Sequence, residues 1–178
     1  MNDSIRYPLG QFELVVQPTS IQRDKWINDI AEMPKILRCT VQDLTVDQLH
    51  IPYRQGGWTI RQIVHHLADN NMNAYIRFKK ALTEDTPIST TYREDLWAEL
   101  FDYKNEPIDT SLILIEALHH RFITLLRSLS SIEFSKQFIS PTHGTMSLDA
   151  AIQRYVWHGQ HHIEQINQLK RRMGWLSG

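Results

Sequence analysis

Apolar residues recur at three- and four-residue intervals in four stretches of the chain, and each stretch reads as an amphipathic helix. The first predicts a helix from Ser20 to about Leu44, with Trp26, Ile30, Met33, Leu37, Val41 and Leu44 as its stripe. Pro34 falls inside it and predicts a kink or break, because proline lacks an N–H and crowds the preceding turn. Thr45-Val46-Asp47-Gln48 is a capping-box pattern that opens a short helical turn before Pro52. A second capping box, Thr59-Ile60-Arg61-Gln62, opens the second long helix over residues 60–82. The third spans about 111–129 with Asp109 or Thr110 as its cap, and the fourth runs from a Ser147 cap to Met173, stopping at Gly174. Residues 83–109 form a long crossover with a short helix around Arg93–Phe101, and Pro141-Thr142-His143-Gly144 is a turn with short extended flanks. Pro8, Gly10 and Pro18 make residues 1–19 an extended lead-in. Strand signals are weak, so the pattern predicts an all-α four-helix bundle with one long crossover connection, a single domain over residues 1–178.

Composition narrows the class without changing the fold. The 178 residues suit one sizeable core, and 42% hydrophobic with 22% charged residues is the balance of a soluble globular protein. A net charge of −1 argues against a general nucleic-acid binder, and Lys170-Arg171-Arg172 sits where cations complement a helix C-terminus. Cys39 is the single cysteine, so no intrachain disulfide forms and a reducing compartment is expected. Met1-Asn2-Asp3-Ser4 begins no signal pattern, and the strongest apolar stretch, Leu112–Ile115, ends at Glu116. No membrane span is expected, and the protein reads as cytoplasmic.

The candidate chemistry lies in histidines. His158 and His162 stand four apart in Trp157-His158-Gly159-Gln160-His161-His162, so their imidazoles project from one face of the fourth helix, one turn apart. On a wheel of about 100° per residue, His162 falls about 40° from His158, among Ala151, Tyr155, Ile166 and Leu169, whereas His161 falls off that face and reads as a surface residue. Two desolvated imidazoles on an apolar face are either hydrogen-bonded core residues or a ligand pair for a divalent metal. A third imidazole from another helix would complete the three-ligand, open-position pattern of catalytic zinc sites. His66 heads a polar stripe with Asn70, Asn73 and Arg77, readable as a solvated face or as a pocket wall. His65 points elsewhere, His119 and His120 are alternative third ligands, and His50 and His143 read as surface residues in turns. No nucleophile, phosphate-loop or dinucleotide motif occurs, and the ligand pair encloses no glutamate. Asp69 is the nearest carboxylate in sequence to His66, a candidate general base, a second acceptor for an imidazole N–H, or a solvated acid.

Several segments together resemble the DinB superfamily, and within it the YfiT-like metal-dependent hydrolases. They are Tyr53-Arg54-Gln55-Gly56-Gly57-Trp58-Thr59-Ile60-Arg61-Gln62 leading to His65-His66-Leu67-Ala68-Asp69, Tyr75-Ile76-Arg77-Phe78-Lys79, Tyr155-Val156-Trp157-His158 through His162, and Arg171-Arg172-Met173-Gly174-Trp175. Tyr7-Pro8-Leu9-Gly10 fits as well, and Gln160 departs from the expected pattern at a position off the ligand face. The resemblance implies a DinB-type four-helix bundle, often a homodimer. It also implies one divalent metal per chain, zinc before nickel, held by His66, His158 and His162. It selects His66 over His65. Two reactions share such a ligand set: hydrolysis by a metal-activated water, and transfer of a low-molecular-weight thiol such as bacillithiol or mycothiol to an electrophile. In either, Asn70, Asn73 and Arg77 would hold a carboxylate or amide of the small-molecule substrate. A non-catalytic metal-binding interaction module is the reading from a different class.

Overall fold

The computed structural model describes residues 4–175, so the first three residues of the lead-in lie outside the described residues. Helix α1 spans Ser20–Val41, closed at its N-terminus by a capping box between Thr19 and Gln22. Helix α2 (Val46–Leu49) begins at the Thr45–Gln48 box, and α3 (Ile60–Thr83) at the Thr59–Gln62 box. The crossover carries two short helices, α4 (Glu94–Trp97) and α5 (Phe101–Asn105), where the sequence predicts one. They are separate because Leu100 is extended between them. Helix α6 spans Ile108–Arg127, starting earlier than predicted: Pro107, with its fixed φ and missing N–H, is the cap residue rather than Asp109 or Thr110. Helix α7 (Ser131–Phe134) begins at a fourth capping box, and α8 runs from Leu148 to Met173 between a Ser147 cap and Gly174 at positive φ.

The predicted turn at 141–144 joins a small antiparallel hairpin, β1 (Gln137–Ser140) and β2 (Gly144–Ser147), with Phe138 opposite Met146. Four-residue strands are too short for a period-two signal to stand out, which is why they register in the sequence only as extended flanks. Ile88 bridges to Ile139 and lays the start of the crossover along β1.

Helices α1 and α3 each pack against both α6 and α8, and α1 sits diagonally from α3. The helix α1 continues unbroken through Pro34. Proline cannot donate to the carbonyl of Ile30 one turn earlier, and His119 of α6 donates its Nδ1–H to that carbonyl at 2.7 Å. His119, weighed above as a third ligand, therefore fills a backbone vacancy made by Pro34. On the far side of α1, α8 comes so close that a Cβ on Gly159 would overlap Met33 Sδ.

The core has two apolar sections. One gathers Leu37, Ile63, Leu67, Leu112, Ile115, Ile166 and Leu169, the other Ile30, Phe78, Phe122, Leu126, Leu148 and Ile152. Along α3 and α8 the boundary between them falls at residues 68–74 and 156–163, which brings His66, His158 and His162 close to one level of the bundle. Among the described residues no helix is long and apolar enough to cross a membrane.

Candidate metal centre

His66 lies in the second turn of α3, buried, and His158 and His162 lie one turn apart on α8. Each offers one ring nitrogen, and these nitrogens all lie within 4.8 Å of one another. His66 Nε2 is 3.2 Å from His158 Nε2, and the His162 ring centroid is 5.0 Å from that of His66 and 4.6 Å from that of His158. Two nitrogens bound at about 2.0–2.1 Å to one tetrahedral ion stand about 3.3 Å apart, the spacing of the His66–His158 pair, and His162 offers its nitrogen within 4.8 Å of both. His66 Nδ1 is buried without a hydrogen-bond partner. Trp58, just before the α3 cap, covers the group, its ring 4.6 Å from His66 and stacked on His162 at 6.0 Å.

The orientation of His162 is fixed from behind. Its Nδ1–H donates to Gln165 Oε1 at 2.9 Å, which leaves Nε2 as the free lone pair. The Gln165 amide nitrogen donates in turn to Arg6 O at 2.9 Å and to His161 Nε2 at 3.0 Å. His161, expected at the surface, is buried: the lead-in segment brings Tyr7 against it, and Trp157 stacks on its other side at 4.7 Å. A helical wheel gives its angle correctly but does not show that residues 6–15 cover that face. Replacing Gln165 with Ala should weaken divalent-metal binding about 10- to 100-fold in a chelator-competition titration, with the helical circular-dichroism signal retained.

Burial pushes the pKa of His66 and His158 well below the usual imidazole value, and His162 down to about 4. The neighbouring imidazoles add to the shift in each case, and the bond to Gln165 opposes it at His162. All three rings are thus held neutral near pH 7, the form in which imidazole binds a metal.

The other candidates are placed as follows. Asp69 Oδ2 accepts the Tyr103 hydroxyl at 2.6 Å, tying α5 to α3, and burial raises its carboxyl pKa. It is not the acceptor for His66, whose Nδ1 has no partner. Asn73 donates to the backbone carbonyl of Asp69 at 2.8 Å. His65 is buried and bonds Ser111 Oγ at 2.7 Å and Glu106 O at 3.1 Å, a link from α3 to the start of α6. His50, His120 and His143 are exposed.

Asn70 and Arg77 do share a wall. With His158 they line a cavity of about 400 Å³ whose apolar side is Phe138, Met146 and Trp157. Arg154 and Tyr155 also line it, and sequence reasoning did not single them out as site residues. The available signal was helical spacing, since both lie one turn before His158 on the same helix.

A sequence model of the DinB superfamily matches residues 23–166. A protein of Oceanobacillus iheyensis named "Putative metal-dependent hydrolase" is 48% identical over 170 residues, covering 96% of this chain and 98% of that protein. One from Bacillus cereus with the same name is 47% identical over 175 residues, covering 98% and 100%. The solved structure of YfiT from Bacillus subtilis, described as a probable metal-dependent hydrolase with an unusual four-helix bundle topology, superimposes with a TM-score of 0.95 at 45% identity, covering 97% of this chain and 99% of that one.

Proposed function

Because this chain belongs to the DinB superfamily, we propose that it is a metal-dependent hydrolase of small molecules, with His66, His158 and His162 as the ligands of one divalent ion. The observation that carries this reading is the position of His158: it belongs to the three-imidazole group and also lines the cavity. Three protein ligands with a fourth position facing a cavity is the pattern of a catalytic ion, and an ion with no access to a pocket would favour an interaction module instead. Three imidazoles suit zinc first and nickel second. A divalent ion there would polarise a carbonyl and bring a water's pKa toward neutrality. The protein's own part is to keep the rings neutral, to hold His162 through Gln165, and to cover the group with Trp58.

Elemental analysis of the purified protein should find about one divalent ion per chain, and stripping with a chelator should abolish hydrolysis of a panel of esters and amides, with zinc or nickel restoring it. Hydrolysis that persists in the stripped protein would overturn the assignment. So would a panel in which only conjugation of small thiols to electrophiles proceeds, which would make the protein a thiol transferase.

A further inference from the structure

We infer that Arg154 and Arg77 form a carboxylate-binding subsite in the cavity beside His158, so that the substrate is a small molecule bearing one carboxylate a few bonds from the group presented to the metal. This rests on the metal-dependent reading above and adds the substrate class.

Four arginines meet acids, Arg23 with Asp149, Arg38 with Glu116 and Asp109, Arg93 with Asp95, and Arg171 with Glu164, while Arg61 and Arg172 instead donate to backbone carbonyls outside the cavity. Arg154 is half-buried and makes no ion pair among the described residues. It makes a long hydrogen bond to His143 Nδ1, 3.4 Å from Nη2, and its guanidinium lies 5.0 Å from the centre of the Phe12 ring. Desolvation lowers its pKa, which reflects the cost of burying that charge unpaired. Arg77 also makes no ion pair among the described residues. One Nη donates to the Tyr155 hydroxyl and the other to Thr90 O, both at 3.0 Å, which fixes the fork in place, and its buried Nε has no partner.

One more buried polar atom of the cavity's lining residues lacks a partner, Trp157 Nε1. Unpartnered N–H groups on residues lining one space suit a ligand that accepts hydrogen bonds. The charges set its valence. Arg93 is balanced by Asp95, and counting Glu94 against Arg77 and Arg154 leaves the lining with a net single positive charge. That matches a monoanion, and a guanidinium fork matches the planar carboxylate geometry. Arg154 sits one turn from His158, a rise of about 6 Å. A carboxylate there and a carbonyl at the metal can therefore belong to one molecule the size of an N-acylated amino acid. Phe138, Met146 and Trp157 supply apolar contact for its body.

The test uses hippurate and its uncharged analogue hippuramide as probes. Binding is followed by calorimetry and by tryptophan fluorescence, on metal-loaded and chelator-stripped protein. The acid should bind about tenfold more tightly than the amide, the contribution of one charge-assisted contact. Arg154→Gln should erase that preference and Arg154→Lys should keep part of it, with both variants melting as the parent does. Equal binding of acid and amide, no saturable binding of either, or an unchanged preference in Arg154→Gln would overturn the subsite. Inorganic phosphate displacing hippurate more readily than benzoate does would overturn its assignment to a carboxylate. If the purified protein holds no metal but the preference remains, it is the hydrolase reading that fails.

Discussion

His162→Ala is expected to keep the bundle folded and to lose its divalent ion. The ring contributes one of three nitrogens within 4.8 Å of one another, and among the described residues no cysteine or carboxylate belongs to that group. Structural zinc sites with four ligands are worth about 10–16 kcal/mol, so one ligand is worth roughly 3 kcal/mol, or about a hundredfold in affinity. Chelator competition should report at least that loss for His162→Ala and His158→Ala. The control is His120→Ala, an exposed histidine remote from the group, which should bind as the parent does. Wild-type affinity in either ligand variant would sink the site. Folding should survive, because the apolar sections on either side of the histidines supply most of the buried core.

Acid should destabilise the metal-free protein in a window set by the same rings. In the unfolded chain each histidine titrates near 6.5, whereas the folded state holds His162 at about 4 and His66 and His158 well below their usual value. Between those limits the unfolded state binds more protons, so stability is fully present above about pH 6.5 and falls as pH drops toward 4. The His162 shift alone is worth about 3 kcal/mol at the acid end. Burial moves His65 and His119 in the same direction and steepens the slope, while the raised carboxyl of Asp69 opposes it. Denaturant midpoints of the chelated protein from pH 7.5 to 4.5 should show the fall, and His162→Ala should flatten it. A flat profile in the parent would mean that these rings are not held neutral.

Periodicity reads the bundle well where a helix has one partner layer and a clear cap. Thr45, Thr59 and Ser147 cap the helices the sequence assigns to them, and Ile30, Met33, Leu37 and Val41 of the first stripe are buried. It fails where the determinant lies outside the element. Pro34 predicts a break that does not occur, because the carbonyl it orphans is satisfied by His119, 85 residues later. His161 is buried by the lead-in, and the solvated-face alternative for His66 is excluded by its 1% exposure beneath Trp58. The angular spacing of His158 and His162 is visible in the sequence. The Gln165 contact that orients His162 is a rotamer choice, and Arg154 acquires meaning only when its lack of an acid is seen.

The separation of the three proposed ligands would also order events during synthesis. Two of them arrive together on the last helix, but His66 is 92 residues upstream of His158 and leaves the ribosome long before them. A nascent chain ending before Trp157 carries only His66 of the three, so an ion at this site would not template the early bundle. The last helix instead brings two nitrogens to a third already on α3, and metal capture at the proposed site would mark that the final helix has docked.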